Sequence, residues 1–189
     1  MTLSERLRAE TRAAHDAIEA AFGLDSWLAS PAAYAALLGR MHAFHAAIEP
    51  AAAQHLAGTP LAVGTGRAPR LAADLAALGQ ADSAPVLADI ALPRDRAEAI
   101  GAVYVLEGSA LGGLLIAKQV ADRLGIGAED GASFFAGEGR DTMRHWRAMQ
   151  AGIDALASPA GDDRTVAFAN RAFASMQAAI AAPVAGGPG

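Results

Sequence analysis

Tyr104–Lys118, YVLEGSALGGLLIAK, combines an apolar pattern of helical spacing with three internal glycines, Gly108, Gly112 and Gly113. Each glycine in a helix interior costs about 1 kcal/mol relative to alanine, so the three oppose the helix by about 3 kcal/mol. Without a Cβ, however, a helix can approach a flat ligand or a neighbouring helix closely, and its hydrogen-bond ladder can bend. Gly108 and Gly112 are four residues apart and share a face. The spacing fits either a ligand against that face or a crossing of two helices through small residues.

The chain around this stretch has the composition of one helical domain. It has 189 residues, 53% of them hydrophobic, and a formal net charge of -5. Alanine dominates, β-branched residues are sparse, and no alternating segment is bounded by turn signals, which predicts an all-α fold. We expect one domain over residues 1–181 and a flexible tail over 182–189. A parallel-sheet nucleotide fold is not compatible with this pattern.

Cysteine content and charge narrow the function classes. The chain has no cysteine, which excludes a disulfide framework, a thiolate nucleophile and a thiolate-ligated metal. The start, MTLSERLRAETRAAH, is charged, so we expect neither a secretory signal nor a membrane span, and we expect a cytoplasmic protein. A nucleic-acid interface needs a clustered basic face, and the scattered arginines of this mildly acidic chain do not predict one.

The first predicted helix carries a candidate metal ligand. Thr2 and Glu5 form a capping box, and apolar residues then recur at helical spacing until Gly23. At 100° per residue, Arg8 and His15 fall close together, and His15 lies on or beside the predicted buried stripe. A lone histidine in such a place is more often a packed core residue than a ligand.

Two neighbours favour a ligand role for His15. Glu19 lies one turn on and can accept the proton of the second ring nitrogen, which fixes the tautomer and makes the free nitrogen a better ligand. Arg8 lies two turns back, about 10 Å along the axis. That spacing suits a large planar anion whose metal lies over His15 while its carboxylates reach the arginine. A solvated helix face is the alternative for Arg8.

A second group of candidate ligands lies on the next predicted helix, which Pro50 should kink or split. His42, His45 and Glu49 stand at i, i+3 and i+7 and could place three ligands on one face. The same pattern suits an amphipathic surface, because alanines and a phenylalanine interleave with the histidines. The chain has no repeated Glu-x-x-His pair, so a carboxylate-bridged di-iron bundle is not predicted.

Two longer helices are predicted farther along. The run from Arg94 through Leu124 contains the opening stretch, and a helix of this length is expected to bend at its glycines. A later helix is predicted over Asp141 to Ala157, with Met143 and Trp146 in the core.

Taken together, LRAETRAAHDAIEAAF and YVLEGSALGG resemble the haem (heme) oxygenase family, more particularly the bacterial type found with bacteriophytochromes. The two segments stand in the family's order, about ninety residues apart. The resemblance implies a single-domain helical bundle in which haem lies between a proximal helix and a kinked, glycine-rich distal helix. It also implies that haem is substrate and cofactor, that an external reductase or ferredoxin supplies electrons, and that biliverdin, carbon monoxide and ferrous iron are released.

The resemblance assigns roles on the proximal side of this site. His15 matches the axial ligand and Glu19 its hydrogen-bonding partner. Arg8 matches a basic position that pairs with a haem propionate, and Arg147 falls near a second such position in a looser alignment.

On the distal side, Gly108 and Gly112 match the glycines whose backbone lies over the haem, and Gly113 is placed with them as a cofactor contact. Ser109 stands where animal-type members carry an aspartate that organises a water network, which the phytochrome-associated type also lacks. A serine hydroxyl can hold a water but supplies no charge, and its alternative is a bond back to a helix carbonyl. Proton delivery is therefore unassigned. Tyr104 is one position away from the family's propionate-binding tyrosine, so that role is not transferred.

Other functions stay open. A non-catalytic haem-binding or haem-delivery protein of the same fold would carry the same residues, and the missing distal acid is compatible with it. A thiaminase-like or quinone-cofactor-synthesis enzyme would share the architecture, because fold does not decide function, but thiaminase-like members need a cysteine. A structural bundle is a further alternative. The product of a haem oxygenase could supply a bacteriophytochrome or serve iron acquisition.

Overall fold

In the computed structural model, the described residues, which are 1–62, 67–81, 85, 87 and 89–181, form ten α-helices and no strand. In chain order the helices are α1 (Leu3–Glu10), α2 (Arg12–Ala21), α3 (Leu24–Trp27), α4 (Pro31–Leu56), α5 (Arg67–Ala77), α6 (Arg96–Gly108), α7 (Ala110–Leu124), α8 (Ser133–Ala136), α9 (Thr142–Ala155) and α10 (Asp162–Ala181). A π-helical turn, Ala128–Ala132, precedes α8, and a 3-10 turn, Gly139–Asp141, precedes α9. The predicted all-α fold is confirmed. The tail expected over 182–189 lies outside the described residues.

Helix α6 is the central element of the bundle and packs between α4 and α10. Its residues from Ala97 to Glu107 are all buried. The close approach of α10 depends on Gly101, because a Cβ at that position would collide with the carbonyl oxygen of Thr165. A crossing through a small residue therefore does occur in this bundle, but at Gly101 and not at Gly108.

The long predicted helix is interrupted at Ser109, between α6 and α7. The Ser109 hydroxyl donates to the Leu106 carbonyl oxygen at 2.8 Å, and the Ser109 amide donates to the Val105 carbonyl oxygen at a long 3.4 Å. A serine that bonds back to the preceding turn weakens the regular ladder and bends a helix. The expected bend thus falls directly after Gly108.

By length and composition alone, Arg96–Leu124 could cross a membrane. In the structure its first half is the buried core helix of the bundle. That half also carries Glu98 and Glu107, each paired with an arginine side chain. Burial inside the protein therefore explains the apolar composition of this first half.

Two early elements differ from expectation. The first predicted helix is divided at Thr11, whose φ and ψ are -103° and 1° and whose hydroxyl donates to the Leu7 carbonyl oxygen at 2.7 Å. Gly23, with a φ of 54°, ends α2 as predicted. The split expected at Pro50 is wrong, because α4 continues through it. Packing of the buried residues on either side of Pro50 outweighs the lost hydrogen bond.

Glu98 joins the start of α6 to α10. Its carboxylate accepts hydrogen bonds from Arg94 at 2.9 Å and from Arg171 at 2.8 Å. The bond from Arg94, assisted by Arg171 and opposed by desolvation, lowers the pKa of Glu98 from 4.5 to about 2. Because the pKa is lower in the folded state, the stabilisation is complete above the unfolded-state pKa and is lost as the pH falls towards the folded-state value.

We therefore expect the free energy of unfolding to fall more steeply between pH 4.5 and 2 in the wild type than in Glu98→Gln. Urea unfolding at a series of pH values measures both slopes. Equal slopes would show that these ion pairs contribute nothing to acid stability.

Candidate functional site

His15 lies on the exposed side of α2, a helix in which no residue is buried. Its side chain is 52% exposed, and the edge of its ring meets Phe173 of α10 with the ring centroids 5.9 Å apart. Nδ1 lies 3.8 Å from a Glu19 oxygen and 4.0 Å from an Asp16 oxygen. Both carboxylates are thus on the Nδ1 side but beyond hydrogen-bonding distance. Nε2 is the nitrogen left free for a ligand.

Helix α2 packs mainly against α10, and the residue before it, Thr11, reaches α6. At the N-terminal end, the Thr11 side chain interacts with the Tyr104 hydroxyl of α6, and the charge of Arg8 also acts on that hydroxyl. Burial is the larger influence and raises the pKa of Tyr104. At the C-terminal end, Ile18 of α2 and Ile116 of α7 pack on the same apolar cluster.

His15 is one helical turn beyond Thr11, and Gly108 is one turn beyond Tyr104, with Gly112 a further turn along. The Thr11–Tyr104 interaction therefore joins the start of α2 to the helix that ends at Gly108.

The glycines do not share one role. A Cβ on Gly112 would meet no atom within 4 Å, and a Cβ on Gly108 would touch only the Trp146 indole at 3.7 Å. A Cβ on Gly113 would lie 2.7 Å from the Phe135 carbonyl oxygen. In contrast to the expectation for Gly113, its missing side chain admits the backbone of α8. Gly112 faces open space, and the Cβ position of Gly108 is in ordinary van der Waals contact with Trp146, so neither glycine is required by a close helix crossing.

An exposed apolar surface continues along α7 beside Gly112. Leu111 is 41% exposed and Leu115 is 65% exposed, and both share the face of Gly108 and Gly112 at 100° per residue. Met143, expected in the core, is likewise exposed. Exposed apolar side chains grouped on one helix face, as Leu111 and Leu115 are, are typical of a binding surface.

Gly112 faces open space and Gly113 faces the α8 backbone, so adding one methyl group at each position should change the free energy of unfolding in opposite directions. We expect Gly112→Ala to raise the free energy of unfolding of the ligand-free protein by up to about 1 kcal/mol, because alanine is the better helix former and the space is empty. Gly113→Ala should lower it by about 1–3 kcal/mol, because the α8 backbone has to move. Denaturant unfolding of both variants tests this, and effects of the same sign would contradict the assignment of the two faces.

Of the polar side chains predicted for the site, the two arginines are available to a ligand and the Ser109 hydroxyl is not. Arg8 and Arg147 are exposed, and neither forms an ion pair with any residue in the described part of the chain. Each guanidinium is free to bind a carboxylate of a ligand. The Ser109 hydroxyl is engaged with the Leu106 carbonyl, which is the alternative anticipated from the sequence.

The three candidate ligands on α4 do not converge on a metal site within the described residues. His45 is fully buried, and its Nδ1 lies 2.8 Å from a Glu49 oxygen. Burial lowers the pKa of His45, against the opposing effect of Glu49, so the ring is held neutral. Nε2 of His45 and Nδ1 of His42 are buried without a hydrogen-bond partner.

The sequence analysis missed a charged cluster next to Gly108. The buried Glu107 carboxylate accepts hydrogen bonds from Arg67 of α5 at 3.2 and 2.6 Å and lies 3.0 Å from Nε2 of His145 on α9. The available signal was an acidic residue at the end of the uncharged run from Ala99 to Leu106, where an unpaired charge would be costly.

Two comparisons with known proteins match nearly the whole chain. A family model described as Heme oxygenase matches residues 1–182. The chain is also similar to a solved structure, that of the NO- and CO-bound heme oxygenase from Neisseria meningitidis, with 26% identity and a TM-score of 0.80. The similarity covers 95% of this chain and 90% of the other. A comparison with curated protein sequences finds no match.

Proposed function

This chain belongs to the haem oxygenase family, and we propose that it binds haem between α2 and α6–α7 and cleaves it to biliverdin, carbon monoxide and ferrous iron. Degradation of haem agrees with the family and with the fold of the similar structure. The observation that carries the proposal is that Gly112 faces open space while His15 is exposed, and we place the two on opposite sides of the haem.

The residues of the proposed site fit a haem. Nε2 of His15 is free to coordinate iron, and the carboxylates of Glu19 and Asp16 on the Nδ1 side favour the tautomer that leaves it so. Arg8 and Arg147 would pair with the two propionates. When bound, haem supplies the redox chemistry with dioxygen, using electrons from outside the protein.

On the proposed distal side of the haem, the protein contributes open space and an apolar surface that excludes water. The absence of side chains at Gly108 and Gly112 leaves room for a small ligand between the helix and a flat cofactor. Leu111 and Leu115 would be covered by the cofactor and would exclude water from its edge. The described residues of this face, Gly108, Leu111, Gly112 and Leu115, include no carboxylate, which favours a site that does not force early cleavage of the O–O bond.

One observation favours the second candidate, a non-catalytic haem-binding or haem-delivery protein. The Ser109 hydroxyl donates to Leu106, so it is not free to donate towards the open face. Ligation by His15 would be the same in both cases, and turnover alone separates them.

The proposal extends to the setting of the reaction. It includes a separate reductase or ferredoxin as electron donor, a cytoplasmic location, and a product that supplies a bacteriophytochrome or releases iron for the cell. The sequence resemblance to the phytochrome-associated type supports these assignments.

The decisive experiment is a haemin titration followed by spectra in air with ascorbate or a ferredoxin system. A saturable one-to-one Soret band that decays into a biliverdin band is the expected result. A Soret band that persists with a working reductant would favour the binding protein. Absence of a stoichiometric band would refute the haem site altogether.

Gly112→Leu is expected to reduce turnover more than haem affinity, because its side chain would fill the open face without touching the proximal ligand. Haem dissociation constants and single-turnover rates of the variant and of Gly112→Ala give the comparison. Normal biliverdin formation by Gly112→Leu would count against the assignment of the distal face.

A further inference from the structure

A cleft of about 500 Å³ lies between α4 and α5, and we call it the α4–α5 cleft. Its floor is apolar and buried and includes Leu56, Leu61 and Val103. Its rim is formed by small, exposed residues of the two helices, among them Ala53 and Ala72. A cleft of this volume, with a mostly apolar lining and few polar groups, is typical of a small-molecule site.

The cleft exists because one stripe of α4 carries mostly small side chains. At 100° per residue, the α4 residues that line the cleft fall within about 100° of one another; they include His42, Ala46, Glu49, Pro50 and Ala53. A stripe that faces a neighbouring helix usually carries large apolar side chains. Here the facing residues of α5 are also small, namely Ala68, Pro69 and Ala72, so the two helices leave space between them.

Pro50 adds a hydrogen-bond acceptor to this apolar wall. Proline has no amide hydrogen, so the carbonyl oxygen of Ala46, four residues earlier in the same helix, lacks its regular helical donor. Ala46 and Pro50 both line the cleft. A donor on a bound molecule can therefore take the place of the missing amide.

Two polar side chains complete the lining. His42 lies one turn before Ala46, and its Nδ1 is buried without a hydrogen-bond partner among the described residues. The Glu49 carboxylate is 9% exposed, accepts a hydrogen bond from the Ala68 amide at 3.1 Å and lies 2.8 Å from Nδ1 of His45. The thirteen described residues that line the cleft include no lysine or arginine.

This lining selects the chemical class of the ligand. An anion would meet the charge of Glu49 without a cation to balance it. An ammonium group would lose its hydration against an apolar floor, beside a carboxylate that already accepts hydrogen bonds from the protein. A hydroxyl group can donate to the Ala46 carbonyl oxygen, and it suits either tautomer of His42 because it can also accept.

We propose that the α4–α5 cleft binds a neutral, largely apolar molecule with one hydroxyl group, a phenol or an alcohol, which donates to the Ala46 carbonyl oxygen. The inference goes beyond the proposed haem oxygenase function and does not rest on it. None of the residues that line the cleft is among those proposed to bind haem.

The first test compares three flat probes of similar size on the ligand-free protein at pH 7, by titration calorimetry. 2-Naphthol is expected to bind saturably with one-to-one stoichiometry. Naphthalene, which lacks the hydroxyl, should bind about 5-fold more weakly, and the anion 2-naphthoate more weakly than either. Absence of saturable 2-naphthol binding, or an equal or higher affinity for naphthalene or 2-naphthoate, would overturn the proposal.

The second test locates the binding site with two neighbouring residues of α5. Ala72 and Ala73 are both exposed, but only Ala72 lines the cleft. Ala72→Leu should weaken 2-naphthol binding about tenfold, because the added side chain takes up space in the cleft, whereas Ala73→Leu should bind like the wild type. Equal affinities of the two variants would place the bound probe elsewhere and overturn the proposal.

The third test concerns the hydroxyl contact. Pro50→Ala restores an amide that can pair with the Ala46 carbonyl oxygen. We expect its affinities for 2-naphthol and naphthalene to become nearly equal, with the naphthalene affinity close to that of the wild type. An unchanged preference for 2-naphthol would overturn the role of this carbonyl.

Haemin titration separates this inference from the proposed haem site. Ala72→Leu should bind and consume haem as the wild type does, because it changes only the α4–α5 cleft. Loss of haem binding in Ala72→Leu would overturn the independence of the two sites. A wild type that binds 2-naphthol but not haem would refute the haem proposal and leave the present inference standing.

Discussion

His15→Ala is expected to abolish the five-coordinate haem spectrum while the helical fold remains intact. His15 is an exposed nitrogen donor on α2 and the axial ligand of the proposed haem site, so its loss would leave iron without a protein ligand. The ring packs mainly by its edge against Phe173 and is 52% exposed. Removal of such a side chain changes the free energy of unfolding by about 0.5 kcal/mol or less. Absorption spectra of the haemin complex and far-ultraviolet circular dichroism measure the two effects separately.

The control for this prediction is His55→Ala, which removes a histidine that is not part of the proposed site and should leave the haem spectrum unchanged. Added imidazole should restore an axial nitrogen ligand to the His15→Ala complex, because the vacated space admits a small ring. A His15→Ala protein with the wild-type haem spectrum would remove His15 from the site. A loss of helical content would instead mean that α2 needs the His15–Phe173 contact to fold.

Local sequence signals predicted the helical elements well where capping and glycine chemistry are involved. Gly23 ends α2, and Ser30 caps α4 by accepting a bond from the Ala33 amide at 3.1 Å. The break at Ser109 was expected from the glycines around it. Two features escaped the prediction: α4 is not split at Pro50, because packing of its buried residues offsets the lost hydrogen bond, and the first helix breaks at Thr11, whose hydroxyl bonds back to the Leu7 carbonyl oxygen.

Sequence spacing alone does not decide which neighbours the residues of the candidate site contact. Gly112 and Gly113 are adjacent in sequence, yet one faces open space and the other the backbone of Phe135, and only the position of α8 distinguishes them. Likewise, Glu107 finds its partners on α5 and α9, far away in sequence. A buried carboxylate predicts that some cation must reach it, but not which one.

Arg67→Met is expected to lower the free energy of unfolding by about 3–5 kcal/mol, because it leaves the buried carboxylate of Glu107 without its cation. Methionine fills much of the volume of the arginine stem, so the loss reports charge and hydrogen bonding more than packing. The matched control lies on the same helix: Arg70 pairs with Glu138 at 2.6 Å, but both side chains reach water. Arg70→Met should therefore cost about 1 kcal/mol or less. Denaturant unfolding of both variants at pH 7 makes the comparison.

A second substitution separates the uncompensated charge from any packing defect. In Arg67→Met/Glu107→Gln the buried charge is absent, so most of the loss in Arg67→Met should be recovered, and the two effects should be strongly non-additive. If Arg67→Met costs no more than Arg70→Met, Glu107 is adequately solvated or adequately paired with His145 alone. If the double variant is as unstable as Arg67→Met, the arginine acts through its packing at the start of α5. Recovery in the double variant would instead show that the Arg67–Glu107 ion pair links α5 to the end of α6, beside the break at Ser109.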